Sequence, residues 1–248
     1  MSTATEWFST WFNSPYYHIL YGHRDENEAA DFIQALQKKL NLPKGTLVLD
    51  AACGKGRHAK TLFEAGFQVE AYDLSEANIE EAKLIEAEGL TFFQQDMRDP
   101  LPQTNYYQAI FNFFTSFGYF ETTEENQLAF YRFFQGLKKG GLLVLDFFNP
   151  TYVLSNLVAE EVIEREDIQF HIKRFAQKGY LIKTIEFTDK GKEYHFEEKV
   201  EIIQKNDFIA YASKAGFQTI DLVGDYELNP FNEKTSPRMI FFWVKSNS

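Results

Sequence analysis

The sequence predicts an α/β fold, in which a doubly wound parallel sheet carries an antiparallel β insert after its fifth strand. Strand and helix patterns alternate between residues 45 and 150, which is typical of a parallel sheet with helices on both faces. Residues 160–204 then alternate polar and apolar side chains between turn signals, which predicts two or three antiparallel strands.

Each element of the first half of the chain follows from a local signal. Residues 26–40 place apolar side chains at helical spacing, with acids early and lysines late, as the helix dipole favours. Ser75 is a predicted N-cap, and Gly66 and Gly89 mark helix ends. The predicted elements are a helix over 26–40, a strand over 46–50, a helix over 57–65, a strand over 68–73, a helix over 75–88, a strand ending at Asp96, a strand over 107–113, a helix over 124–138 and a strand over 142–148.

The second half follows a different rhythm. After the insert we expect a helix over 206–215 and strands over 217–223 and 239–244. This predicts four regions: an N-terminal helical segment at 1–44, a ligand-binding core at 45–150, the β insert at 151–204, and a closing helix with two strands at 205–248.

The composition narrows the class of protein. The 248 residues are 44% hydrophobic, enough to bury a core. A formal net charge of −11 disfavours nucleic acid and anionic membranes as partners. Cys53 is the single cysteine, and neither a signal peptide nor a membrane span is predicted, so we expect a cytoplasmic protein, monomeric or homodimeric.

Three acids stand where three successive predicted strands end: Asp50, Asp73 and Asp96. Open α/β sheets bind ligands at this edge, although each acid alone could be an ordinary strand-end cap. Gly54 and Gly56 follow the first strand and let a ligand approach bare backbone at a helix N-terminus. The loop also satisfies a dinucleotide pattern, but Asp50 would repel a pyrophosphate. An amine near Asp50, a diol near Asp73 and an adenine near Asp96 fit better, and S-adenosylmethionine has those groups.

At these residues the chain resembles the class I S-adenosylmethionine-dependent methyltransferases, in particular those that act on small molecules. Asp-Ala-Ala-Cys-Gly-Lys-Gly at 50–56 is similar to their glycine-rich motif, with Ala52 where glycine is usual. Segments 72–75, 95–98 and 137–146 are similar to further motifs of that family. The resemblance implies a Rossmann-like sheet of seven strands, the last one antiparallel.

The resemblance also implies a cofactor site. Asp73 would hold the ribose hydroxyls, Asp96 and Met97 would bracket the adenine, and the loop would contact the methionine part. The cofactor-binding residues expected on this basis are Asp50, Ala52, Cys53, Gly54, Gly56, Asp73, Leu74, Asp96, Met97 and Asn112. The product would be S-adenosylhomocysteine.

The acceptor side is less defined by pattern. Methyltransferases of flipped DNA bases carry Asn-Pro-Pro-aromatic after the fourth strand, whereas this chain has Asn-Phe-Phe-Thr at 112–115. Phe114 is a predicted substrate contact, or else part of the core. The tyrosines at 16–21 belong to a segment that would close over the cofactor, with Tyr21 facing the methyl group as a catalytic residue and Tyr17 contacting substrate, unless they only cover a surface helix.

Three further polar residues are candidates for the acceptor site. His171, in the insert, is a possible general base, although a strand histidine is often merely exposed. Arg174 and Arg238 are possible substrate contacts, and Arg238 could instead pair with a core acid. The five histidines show no metal-ligand spacing, so no metal is predicted.

The sequence therefore predicts an enzyme that transfers a methyl group from S-adenosylmethionine to a small molecule by in-line displacement. Two alternatives remain open: methylation of RNA or protein, and a non-catalytic cofactor-binding subunit. A nicotinamide oxidoreductase is a further alternative, distinguished by binding of NADH.

Overall fold

The computed structural model describes residues 11–21 and 26–246. Within these ranges the chain forms seven α-helices and eleven strands. The helices are α1 (Pro15–Tyr21), α2 (Glu26–Leu40), α3 (Arg57–Glu64), α4 (Glu76–Ala82), α5 (Thr123–Gly136), α6 (Pro150–Ser155) and α7 (Lys205–Ala215). The strands are β1 (Leu47–Ala51), β2 (Gln68–Asp73), β3 (Leu90–Gln94), β4 (Tyr107–Asn112), β5 (Leu137–Phe148), β6 (Glu160–Arg165), β7 (Ile168–Gln177), β8 (Tyr180–Asp189), β9 (Lys192–Glu201), β10 (Phe217–Val223) and β11 (Arg238–Lys245).

Seven of the strands form the main sheet, in the order β3-β2-β1-β4-β5-β11-β10. Strands β1 to β5 pair in parallel, while β11 is antiparallel to both of its neighbours. The predicted seven-stranded sheet with an antiparallel last strand is therefore confirmed. The chain order reverses between β1 and β4, which is the position where doubly wound sheets open a crevice.

Helices cover both faces of this sheet because the strands are apolar on both sides. One buried cluster joins α2, α3 and α4 to the sheet, with Phe32, Leu62 and Ile79 as members. The opposite cluster joins α5 and α7 to the sheet through Phe130 and Phe208. Apolar burial on two faces is what fixes the crevice at the remaining edge.

The insert is a separate antiparallel sheet of four strands, in the order β6-β7-β8-β9. The expectation of two or three strands was too low, because β6 follows directly from α6 and pairs with β7. A third cluster buries one face of this sheet against α1, through Trp11, Leu20 and Phe170. The N-terminal helix therefore packs on the insert.

Some predicted element boundaries differ from the structure. The helix after Ser75 ends at Ala82, followed by a short 3₁₀ turn, although Ser75 does cap it by accepting from Asn78 N–H at 3.1 Å. β5 begins at Leu137 rather than at 142, because the glycine pair at 140–141 continues the strand through an irregular pairing with β4. None of the described helices has both the length and the apolar composition of a membrane span.

Candidate active site

A cavity of about 310 Å³ opens at the carboxyl edge of β1, β2, β3 and β4. Its polar end carries the three predicted acids, Asp50, Asp73 and Asp96. Its other end is lined by aromatic rings. The described aromatic residues that line it are Phe12, Tyr17, Tyr21, Tyr72, Phe113, Phe114, Phe117, Tyr119 and Phe120. The volume lies in the range of small-molecule sites.

The loop after β1 turns through left-handed backbone conformations. Ala52 has φ 62°, Gly54 has φ 57° and Gly56 has φ 84°. A Cβ added to Gly54 would meet no described atom within 4 Å, so this glycine leaves room at the cavity wall. A Cβ on Gly56 would come within 2.6 Å of the Phe92 ring. Gly56 is therefore required for packing between loop and sheet, and it is not among the described residues that line the cavity.

Asp73 is held by two backbone donors. Its Oδ2 accepts from Gly54 N–H and its Oδ1 from Ser75 N–H, each at 2.9 Å. Burial raises the pKa of Asp73, and the two backbone hydrogen bonds oppose this shift. Leu74, the next residue, also lines the cavity. Asp73 is thus a fixed acceptor at the end of β2, suited to a pair of hydroxyl donors.

Asp50 is the most deeply buried acid of the cavity, with 2% of its surface exposed. Burial, together with the nearby charge of Asp73, raises the pKa of Asp50 to about 7. Within the described residues its Oδ2 has no hydrogen-bond partner, and the same holds for the hydroxyl of Tyr72. A buried carboxylate oxygen without a partner is costly, so this atom indicates the position of a donor supplied by a ligand.

Asp96 and Met97 line the cavity beyond β3, as predicted for an adenine site. Arg98 binds the Asp96 carboxylate through its Nε and Nη2, the latter at 2.7 Å. Arg98 also donates to Glu125 at 2.7 Å, in the first turn of α5. Burial acts against it, but the hydrogen bonds and charge of Arg98 lower the pKa of Asp96 overall. Asp96 is thus a fixed anion whose remaining lone pairs can accept from a ligand amine.

The turn after β4 places Phe114 in the cavity wall through a strained backbone. Phe114 has φ 56° and Thr115 φ 61°, which is uncommon for residues other than glycine. Asp146, fully buried in β5, holds this turn by accepting from Phe114 N–H at 2.8 Å. Arg238 Nε donates to Asp146 Oδ1 at 2.7 Å, and Tyr226 O–H donates to Asp146 Oδ2 at 3.1 Å.

Two predicted contacts therefore have structural surroundings instead. Arg238 pairs with Asp146 and donates to Thr115 Oγ1 at 2.9 Å, which corresponds to the core-acid alternative rather than to substrate binding. Asn112 is fully buried and donates to Ala51 C=O at 2.9 Å, joining β4 to β1. Neither is among the described residues that line the cavity.

Helix α1 forms the roof of the aromatic end. Tyr17 and Tyr21 line the cavity, and their rings lie 4.9 Å apart. The Tyr21 hydroxyl donates to Glu198 Oε1 at 2.7 Å and accepts from Lys183, so β8 and β9 hold it in place. Asn13, just before α1, accepts from the Ser75 hydroxyl. The roof is thus fastened both to the insert and to the cofactor edge.

His171 and Arg174 lie outside the cavity-lining set of the described residues. The face of β7 that packs inward is formed by Ile168, Phe170 and Ile172, so strict alternation points His171 to the opposite, exposed face. Arg174 forms an ion pair with Glu161 of β6. Neither residue is carried forward as a catalytic or substrate contact.

The structure adds residues that sequence reasoning did not select. Arg57 and His58, in the first turn of α3, line the cavity beside Asp50. Their signal was available, because both directly follow the glycine loop at the expected helix N-terminus. Phe117 and Tyr119 also line the cavity, and their position in a loop gave no periodic signal.

Comparison with known proteins matches residues 21–222 to the model of a methyltransferase domain. The chain belongs to this family. A methyltransferase of Geobacillus sp. (strain WCH70) is 26% identical over 223 residues, which cover 85% of this chain and 89% of that one. The predicted class of enzyme, a methyltransferase, is thereby confirmed.

Solved structures show the same fold. A crystal structure of an S-adenosylmethionine-dependent methyltransferase from Clostridium acetobutylicum ATCC 824 is 21% identical, with a TM-score of 0.78, and the match covers 94% of this chain and 96% of that one. The S-adenosylmethionine-bound amino pentose methyltransferase CalS10 of Micromonospora echinaspora is 20% identical, with a TM-score of 0.70 and coverage of 94% and 97%. The class I methyltransferase fold predicted from the sequence is therefore confirmed.

S-adenosylmethionine is the cofactor predicted for this methyltransferase, and the residues present fit it. The unpartnered Asp50 Oδ2 provides an acceptor for an ammonium group. The fixed carboxylate of Asp73 provides acceptors for two ribose hydroxyls. Met97, beside Asp96, provides an apolar surface for the adenine ring. No part of this set would favour a pyrophosphate, since three carboxylates line the cavity.

Proposed function

We propose that this methyltransferase transfers the methyl group of S-adenosylmethionine to a small-molecule acceptor by in-line displacement. One observation supports this most directly: the same closed cavity has an acidic cofactor end and an aromatic end under α1. An acceptor in the aromatic end would lie beside the reactive part of the cofactor. The enclosed volume of about 310 Å³ suits a metabolite better than a folded macromolecule.

The chain's own residues divide the work between binding and positioning. Asp73 would hold the ribose, Asp96 and Met97 the adenine, and Ala52, Cys53 and Gly54 the methionine part along the loop backbone. S-adenosylmethionine supplies an activated methyl group on a sulfonium, and the protein contributes alignment and exclusion of water. Phe114 and Phe117 provide ring surfaces near a cation, which aromatic rings stabilise.

Tyr21 is the group of the roof best placed to contact the acceptor. Its hydroxyl is fixed by Glu198 and Lys183, so it presents a defined polar atom in an otherwise aromatic chamber. Tyr17 lies beside it and narrows the space available to the acceptor. In this proposal Tyr21 orients the acceptor, and any acceptor proton leaves to solvent after methyl transfer.

The acceptor class follows from charge and from similarity. A chain of net charge −11 with three acids in its cavity disfavours polyanionic acceptors. One structural neighbour is named as an amino pentose methyltransferase. We therefore rank uncharged or amine-bearing small molecules, amino sugars included, ahead of RNA and protein.

The test is methyl transfer from isotopically labelled S-adenosylmethionine to panels of small amines and alcohols, to total RNA and to denatured protein. Labelling of a small molecule, lost in an Asp73→Ala variant, supports the proposal. Labelling of RNA or protein alone would replace it with the macromolecular alternative. Binding of S-adenosylhomocysteine without transfer to any acceptor would favour the non-catalytic subunit.

A further inference from the structure

We propose that Arg57 binds the α-carboxylate of the methionine part of the cofactor, on the opposite side of that group from Asp50. The proposal concerns the cofactor end of the cavity only, so it does not depend on which acceptor is methylated. It adds a specificity-determining residue that the glycine-rich loop alone does not supply.

The position of Arg57 is the first step of the argument. It is the first residue of α3 and lines the cavity directly after the loop of Gly54 and Gly56. The helix N-terminus adds positive potential at the same place. A carboxylate that enters here meets backbone donors and a guanidinium, whose fork matches carboxylate geometry.

The charges around this end form the second step. The amino acid part of S-adenosylmethionine carries an ammonium and a carboxylate on one carbon, so its site needs an acid and a cation close together. Asp50 Oδ2 is buried and lacks a partner within the described residues. The charge of Arg57 acts on Asp50 and lowers its pKa, against the larger effect of burial, which shows that the two side chains are neighbours. Lys55 lines the same cavity, but its ammonium pairs with Glu81 at 2.5 Å.

The orientation of the guanidinium is the third step. The Arg57 guanidinium carbon lies 4.7 Å from the centre of the Phe114 ring. Phe114 is itself fixed, because its N–H donates to Asp146 and its ring stacks on Tyr226 at 5.1 Å. Arg57 Nη2 lies 3.4 Å from Nε2 of the buried His58. The guanidinium is thus held between two rings at the cavity wall.

A binding cycle with two ligands tests the proposal. Calorimetry measures S-adenosylhomocysteine and its decarboxylated counterpart, S-adenosyl-3-thiopropylamine, against the parent chain and Arg57→Met. We expect Arg57→Met to weaken S-adenosylhomocysteine by about 10- to 100-fold, the effect of a lost charge-assisted contact. Binding of the decarboxylated ligand should change by no more than about 3-fold, since it lacks the group that Arg57 contacts.

Lys60→Met is the matched control. Lys60 lies on the same helix, exposed, in a surface pair with Glu64, so this variant removes the same charge without reaching the cavity. Both ligands should bind it as they bind the parent chain. Arg57→Lys, which retains the charge but not the fork, should fall between parent and Arg57→Met for S-adenosylhomocysteine.

The outcomes separate cleanly. An equal loss for both ligands, or no loss for either, overturns the proposal for Arg57. Should Arg57→Met melt at a lower temperature than the parent, Arg57→Lys carries the same comparison between the two ligands. Failure of the parent chain to bind S-adenosylhomocysteine at all would contradict the cofactor assignment itself, which is a different result from any loss in the variants.

Discussion

The carboxylate of Asp73 accepts a hydrogen bond from the backbone N–H of Gly54 at 2.9 Å, so the acid that ends β2 is tied to the loop that follows β1. The other carboxylate oxygen accepts from Ser75, which begins α4. One side chain therefore fixes two segments of the cofactor edge. The acceptor atoms are oriented before a ligand arrives, which lowers the entropy lost on binding.

Replacement of Asp73 by Asn should separate charge from shape. An amide must turn its NH₂ group toward either Gly54 or Ser75, where a donor then faces a donor. We expect S-adenosylhomocysteine to bind about 30-fold more weakly or worse, measured by calorimetry. Asp99→Asn, an exposed acid near the same edge, serves as control. Unchanged affinity in Asp73→Asn would contradict the ribose role.

The two loop glycines should respond differently to alanine. Gly56→Ala places a methyl 2.6 Å from the Phe92 ring at a positive φ, so we expect a loss of about 2 kcal/mol or more in the free energy of unfolding. Gly54→Ala has strain from its φ but meets no described atom, so its stability loss should be nearer 1 kcal/mol. Chemical denaturation measures both.

Cofactor binding should invert this order. The added methyl of Gly54→Ala would point into space beside the cavity, and we expect it to weaken S-adenosylhomocysteine more than Gly56→Ala does at a temperature where both variants are folded. The reverse order would show that Gly56, as first expected from the sequence, is the ligand contact.

The pKa of Asp50, raised to about 7, makes cofactor binding depend on pH. An ammonium beside Asp50 favours the ionised carboxylate, so binding near pH 7 should release protons. Affinity for S-adenosylhomocysteine should rise from about pH 6 to about pH 8 and then level off. Calorimetry at pH 7 in phosphate and in Tris measures the protons released. Their persistence in Asp50→Asn would assign the release to another group.

The same shift has a consequence for stability without ligand. The folded chain keeps a proton on Asp50 that the unfolded chain, with a pKa of 3.8, has already lost. The contribution of Asp50 to the free energy of unfolding therefore falls as pH rises from about 4 to about 7. Asp50→Asn should exceed the parent in stability at pH 8, by up to about 4 kcal/mol, and lose this advantage near pH 4.

Glu198 should control how firmly the roof is held. Its Oε1 accepts from both Trp11 Nε1 and the Tyr21 hydroxyl at 2.7 Å. In Glu198→Ala both donors lose this acceptor, so amide hydrogen exchange in residues 11–21 should accelerate about 10-fold or more, while that of β1 stays constant. The adjacent, exposed Glu197 provides the control variant Glu197→Ala. Equal protection in both variants would mean that apolar packing alone holds α1.

The sequence could predict what depends on local periodicity. Parallel strands end at one edge, so the acids at the ends of β1 and β2 had to meet there, and the glycine loop marked the turn between them. Contacts between distant segments had no such signal. Asp146 and Arg238 lie on strands that pair only after the whole insert has been made, so nothing local distinguished a core ion pair from a substrate contact.

The insert shows the same limit. Alternation predicted which face His171 occupies but not where that face points, because the buried face is decided by the docking of α1. The two roles of the loop glycines were also hidden, since the Phe92 ring that requires Gly56 lies on β3. Sequence patterns thus located the edge and its acids, whereas packing decided which neighbours contact a ligand.

The position of β11 has a consequence for synthesis of the chain. β11 fills the gap between β5 and β10, so β5 has an unpaired edge until the ribosome has made the entire insert, α7 and the final strand. That edge is apolar and open to wrong partners, as long-range pairing is slow. Assembly of the sheet is therefore a late event in translation, and chains released before β11 should be the ones that depend on chaperones.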